Sequence, residues 1–324
     1  MKRIGIAISV AALIGTPVAS ADTALFMSGT QSCLLHACAP TSTPSAGQMA
    51  GWLPGMFAGD TMVGVATPSQ FWPLTGIGSE SLSRSVTEGT ASLDGVVQST
   101  PGPKVVFGIS QSAIVVTQEK INLLNDPNAP ARDQLSFVVE ANPNRPGHGV
   151  LDQVPLVAAV LGVPSTVPDT PYDTIDIARQ YDGVADFPTQ PWNLVADANA
   201  LAGFAYLHGN YSHIDLSAVP PENVSTTTNS LGGTTTYYTV PTPNLPLLQP
   251  LRDLGVPKPI VDALNGPLKR IVDAGYAPRH SASHTGKAIP PRQGAGQHPT
   301  RGDHVQSQRH SSVKLARSQS TTRR

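Results

Sequence analysis

Cysteine, aromatic residues and charge are all scarce in this 324-residue chain: two cysteines, 5% aromatics and 13% charged residues. The charge is also uneven. Residues 22–276 carry 10 Lys/Arg against 21 Asp/Glu, whereas residues 277–324 carry 9 Lys/Arg and one acid, Asp303. An acidic body excludes nucleic acid as the main partner, because phosphate binding needs clustered cations. The basic tail holds no aromatic residue for stacking on bases and almost no large apolar residue, so it cannot bury a core and is expected to be disordered. Beyond the first residues no run of 18 uninterrupted apolar residues occurs, which excludes a membrane span there and makes the mature chain soluble or peripheral. The two cysteines, Cys33 and Cys38, enclose only His36, too little for a metal site, and no cofactor signature appears elsewhere.

What is present begins with an export signal. Lys2 and Arg3 precede an apolar run over 4–18, and Ala19-Ser20-Ala21 fits the small-residue cleavage rule. The run is shorter than the ~20 apolar residues a span requires, so residues 1–21 read as a cleaved signal and the protein as secreted or envelope-associated. In an exported chain Cys33 and Cys38 are expected to pair, closing a small surface loop.

The body alternates strand-like and helix-like segments. Strands are expected at 23–28, 61–66, 104–109, 135–140 and 174–178, with helices at 85–98, 111–124 and 191–207. That alternation implies an α/β fold with a mostly parallel sheet covered by helices. Residues 241–276 differ: a proline-rich apolar segment with two expected short helices, at 258–264 and 267–274, placed as a cap, a lid or a wall for an apolar cleft.

Chemistry concentrates at the junction "VVFGISQSAIVV", where Gly108-Ile109-Ser110-Gln111-Ser112 joins a strand to a helix. A G-x-S-x-G elbow holds its serine on a sharp turn with the hydroxyl projecting above the sheet edge, and here Ser112 replaces the second glycine. The N–H of Gln111, opening the helix, points toward an oxyanion beside Ser110. A serine nucleophile needs a base and the base an orienting acid, in the chain order Ser, acid, His for such sheets. The body offers four histidines: His36 precedes the serine, and His148, in a Pro/Gly loop, reads as a surface residue. "LHGNYSH" supplies the remaining pair, His208 and His213. At the end of the fifth strand "TIDIARQYDGVADFP" offers Asp182, directly off the strand and followed by a turn-forming glycine, narrowly ahead of Asp186, which could instead cap the next segment. Asp173 and Asp176 read as structural.

Together "GISQSA", "NPNRPGHG", "TPYDTIDIARQYDGVADFP" and "ALAGFAYLHGNYSHIDL" resemble the PE-PPE domain of mycobacteria and relatives, over nearly all of residues 23–276. The resemblance implies an α/β-hydrolase fold related to cutinases. It also implies a Ser-Asp-His triad carried to Ser110, an Asp of "YDGVADFP" and His208, with His213 second. A further oxyanion N–H would come from Gly29–Thr30, although "FMSGT" shows one glycine where the family more often has two. No PE or PPE helical module is present; the export signal stands in its place. The implied activity is that of a secreted serine esterase or lipase cleaving acyl esters. Alternatives are an acyltransferase acting on trehalose-type envelope lipids, or an envelope-binding protein that keeps the fold without the chemistry.

Overall fold

The computed structural model describes residues 23–31 and 38–276. The expected signal (1–21), Cys33 and the basic tail (277–324) lie outside them. Cys38 is disulfide-bonded, and Cys33 is the sequence's other cysteine.

In chain order the elements are β1 (Thr23–Phe26), α1 (Ala46–Gly51), β2 (Thr61–Gly64), α2 (Leu82–Ser99), β3 (Lys104–Ile109), α3 (Gln111–Leu123), β4 (Leu135–Glu140), α4 (Val150–Gln153), α5 (Pro155–Leu161), β5 (Thr174–Arg179), α6 (Leu194–Tyr206), β6 (Val224–Thr228), β7 (Thr234–Val240), α7 (Gln249–Asp253) and α8 (Lys258–Asp273). They build one seven-stranded sheet in the order β2-β1-β3-β4-β5-β7-β6. All pairings are parallel except β6 with β7. Strand and helix alternate through β5, giving a layered α/β arrangement with a mostly parallel central sheet.

The central strands read as continuous apolar runs because both faces are covered. One face buries Leu25, Val106, Phe137 and Val139 against Ile114 and Val115 of α3 and Leu93 of α2. The opposite face buries Phe26, Phe107, Ile175 and Ile177 with Trp52, Phe57 and Tyr211. Burial on both sides fixes register, since a one-residue slip would exchange the two sets. The carboxyl ends of six parallel strands therefore arrive at one edge in fixed order, and the elbow stands there, after β3.

Two expectations for the last third need correction. β6 and β7, "VSTTT" and "TTTYYTV", were not expected as strands; threonine fits a pleated edge through its branched Cβ yet adds nothing to an apolar pattern. The two expected short helices are one, α8, with Pro267 inside it. Its packed face, Val261 and Val272 against Tyr181, Leu245 and Leu248, outweighs the one hydrogen bond that a proline removes.

α3 carries a buried carboxyl that bears on stability. Glu119 is fully buried, and neither carboxylate oxygen has a hydrogen-bond partner. Burial, with lesser repulsion from Asp94 and Asp126, raises its pKa from 4.5 to about 8. A carboxyl raised on folding stabilises the protein fully below pH 4.5, and that stability drains away as pH climbs toward about 8. Glu119→Gln is therefore expected to melt near wild type at pH 5 and roughly 4–8 °C higher at pH 8. Thermal melts at both pH values check this; an equal shift at both would remove ionisation as the cause.

Candidate active site

Gly108 is the penultimate residue of β3, where the following helix turns back over the strand. A Cβ there would lie 2.7 Å from the Ser112 carbonyl oxygen, so no larger residue fits without opening the turn. Ser112 fits the motif's second small position because its side chain folds back, accepting from Ile109 N–H at 2.7 Å. Between them Ser110 adopts φ 55°, ψ −115°, a left-handed conformation that costs a non-glycine residue about 1–3 kcal/mol. Its N–H donates to the Glu140 carbonyl at 3.0 Å, tying the elbow to β4. Although it stands at the helix N-cap, its hydroxyl makes no cap bond.

That hydroxyl meets His208 instead. Ser110 Oγ lies 2.8 Å from His208 Nε2. On the other side of the ring, Nδ1 lies 3.0 Å from both carboxylate oxygens of Asp182. Asp182 is fully buried, and it also accepts from Val184 N–H at 2.9 Å and from the Tyr211 hydroxyl at 2.6 Å. These donors hold the carboxylate in one rotamer, so the imidazole has one orientation to adopt. Tyr211 is itself fixed, its hydroxyl accepting from Arg179 N–H at 2.8 Å, and burial raises its pKa well above the ordinary value. Sequence reasoning passed over Tyr211, although it lies three residues beyond His208 in the same short motif.

The alternates go elsewhere. Asp186 accepts from Tyr181 N–H at 2.8 Å and faces His148, whose Nδ1 lies 3.2 Å from Asp186 Oδ1. His148 is thus buried, only 4% exposed, and not the surface residue its Pro/Gly loop suggested. His213 is exposed at φ 62°, its N–H donating to Gly51. Asp176 pairs with Arg145 in the interior, and Asp173 accepts from Arg132 and from Thr234 N–H.

Two backbone segments complete the surroundings. Gln111 is the first residue of α3, where N–H groups have no intrahelical acceptor. Its side chain is buried and locked by Ser85 Oγ and the Gln70 carbonyl. Across the gap, the backbone at Gly29, beside exposed Thr30, approaches so closely that a Cβ would sit 3.4 Å from Ser110 Cβ. Phe204 of α6 stacks on the His208 ring, centroids 5.6 Å apart. It is half-exposed and continues into Leu201 and Leu194, both largely exposed on the same helix. Among the described residues no group of acidic, His or Cys side chains is arranged to hold a metal.

The PE-PPE domain family matches residues 58–277, more than two thirds of the chain. The chain belongs to that family. PE-PPE relatives from Mycobacterium tuberculosis include the SL1278 acyltransferase Chp1, 37% identical over 83% of this chain and 67% of its own length. Esterase PE16 is 40% identical over 68% of this chain and 43% of its own. The diacyltrehalose acyltransferase Chp2 is 39% identical over 59% and 56% respectively. The chain thus spans between two fifths and two thirds of these relatives' lengths. A cutinase-like protein from Cryptococcus sp. aligns over 53% of this chain and 82% of its own with TM-score 0.34 and 16% identity, too loose a match to build on.

Proposed function

We propose that this PE-PPE domain cleaves acyl esters through a covalent acyl-serine intermediate. The observation that carries the reading is the unbroken line Ser110 Oγ, His208 Nε2, His208 Nδ1, Asp182, each link within hydrogen-bond reach. Ester hydrolysis and acyl transfer are the two activities that the relatives' names give.

In the proposed reaction Ser110 Oγ attacks the ester carbonyl carbon while His208 Nε2 takes the hydroxyl proton. Asp182 steadies the imidazolium through Nδ1–H. The Gln111 N–H, with that of Thr30, bonds the carbonyl oxygen as it becomes negative. Collapse expels the alcohol, which takes its proton from His208, leaving the acyl group on Ser110. An incoming hydroxyl, deprotonated by His208, then releases the acyl group and restores the serine. Water as that hydroxyl makes an esterase or lipase; a sugar hydroxyl makes an acyltransferase, which the names of Chp1 and Chp2 favour. Product analysis with a long-chain donor ester, with and without trehalose, separates them: free fatty acid alone fits hydrolysis, and an acylated sugar fits transfer. Neither product, from folded protein, would leave the envelope-binding alternative. Secretion and association with the cell envelope, inferred from residues 1–21, belong to the same proposal.

The wall proposed for the acyl chain is the one beside His208; residues 241–276 also expose apolar side chains, Ile260, Leu264 and Ile271 among them, but much of the rest of their apolar set is packed. There Leu245, Leu248, Val261 and Val272 are consumed by packing against Tyr181 and Ala196. Phe204 and Leu201 instead lead outward from His208. Phe204→Ser combined with Leu201→Ser is expected to slow a twelve-carbon ester at least tenfold while changing a two-carbon ester about twofold, since each buried CH₂ contributes roughly 0.8 kcal/mol. Matched kcat/KM series over chain length measure it; equal losses at both lengths would assign these residues to packing.

A further inference from the structure

A cavity of about 260 Å³ opens at the carboxyl edge of the sheet, and the reaction above uses none of its side chains. Arg145 enters it from the loop after β4, Gln180 from the end of β5 and Thr239 from the end of β7. Asn223 and Ser225 stand at the start of β6, with Glu222 exposed beside them. The buried His148, whose Nδ1 faces Asp186, closes the remaining wall; no aliphatic, phenyl or indole side chain lines the cavity, so an acyl chain would find no partner there.

The charges do not favour an ion. The Arg145 guanidinium is almost completely buried, bonded to Asp176 Oδ1 at 2.5 Å, to the Asp176 and Tyr238 carbonyls, and to Thr239 Oγ1. Its charge is therefore already matched, and the Glu222 carboxylate repels a second anion. What the walls offer is a mixture of neutral donors and acceptors. Gln180 Oε1 accepts from Thr242 N–H at 3.0 Å, which turns the amide NH₂ the other way. Asn223 does the reverse: its NH₂ donates to the Thr239 carbonyl at 3.0 Å, leaving the amide oxygen to accept. The Ser225 hydroxyl does either, and Glu222 accepts. Closely spaced donors and acceptors complement neighbouring hydroxyls, each of which donates one hydrogen bond and accepts others.

We propose that this cavity binds a polyhydroxylated ligand, a single sugar ring or a polyol of that size. Its volume falls below the roughly 300–1,000 Å³ of sites for drug-sized molecules, which fits one ring and not a longer oligosaccharide. Strands about 4.8 Å apart place β5 and β7 about 10–14 Å from β3, so the cavity shares an edge with Ser110 without touching it. A ring held there does not put its own hydroxyl on the acyl-serine. It holds a distant part of a glycosylated substrate or acceptor, and this last step alone rests on the acyl-ester reading.

Saturation-transfer NMR with glucose tests the site on the whole chain, with inorganic phosphate as competitor. Wild type is expected to saturate glucose with millimolar affinity that phosphate does not displace, and Ser110→Ala to bind it equally. Ser225→Phe, which fills the cavity, is expected to weaken binding at least tenfold with an unchanged melting temperature. Should that variant misfold, Glu222→Leu at an exposed position is expected to weaken it several-fold. Glucose binding in a protein that cleaves no ester would uphold the cavity and fail the catalytic reading. No saturation transfer to glucose in folded wild type, displacement by phosphate, or binding unchanged in the folded cavity variants would overturn the proposal.

Discussion

Replacing Ser110 with alanine is expected to lower kcat for a short p-nitrophenyl ester by at least about 10³-fold, with melting temperature held or raised. The size follows from a nucleophile's role: without Oγ no acyl-enzyme forms, and only binding and oxyanion contacts remain to speed attack by water. The stability expectation follows from the backbone. Ser110 holds φ 55° with no cap bond from its side chain, so its hydroxyl contributes to His208 and not to the helix. A strained conformation at the residue whose hydroxyl meets His208 supports the proposed catalytic role. Retention of a tenth of wild-type activity would remove Ser110 from the mechanism.

The second large effect separates the histidines. His208→Ala is expected to match Ser110→Ala, whereas His213→Ala retains activity within about threefold, because His213 sits exposed with its backbone on Gly51. Asp182→Asn is expected to lose about 10²–10⁴-fold, since an amide offers Nδ1–H a weaker partner and no charge for the imidazolium. Asp186→Asn leaves that dyad untouched, and its effect is expected on thermal stability, through Tyr181 N–H and His148. Steady-state kinetics on the four variants, beside their melting curves, check the assignment; a His213 variant as inactive as His208 would shift the base by five residues.

Much of this is legible in the sequence alone, because the relevant signals are local. A continuous apolar strand, two small residues around a serine and an apolar helix specify the elbow within a dozen positions, and β3, α3 and β4 begin where the pattern places them. The choice between Asp182 and Asp186 is only weakly legible, through the glycine that follows Asp182. Both follow β5 by a few residues, and what distinguishes them is the three-dimensional position of Tyr211, His148 and Tyr181 N–H. His148 was misplaced for a related reason: proline and glycine mark a loop, but this loop folds inward so that Arg145 can reach Asp176. The β6–β7 hairpin escaped because threonine-rich strands carry β propensity without apolar alternation. With it went the far wall of the polar cavity.

Labelling with a fluorophosphonate, followed by peptide mapping, addresses the central claim most directly, since it needs no knowledge of the substrate. The probe reacts only with a serine made nucleophilic by its surroundings. The account predicts one adduct, on the peptide containing Ser110, abolished by Ser110→Ala and reduced at least about 10²-fold in rate by His208→Ala. An unlabelled, folded wild-type protein, or an adduct on any other residue, would contradict it.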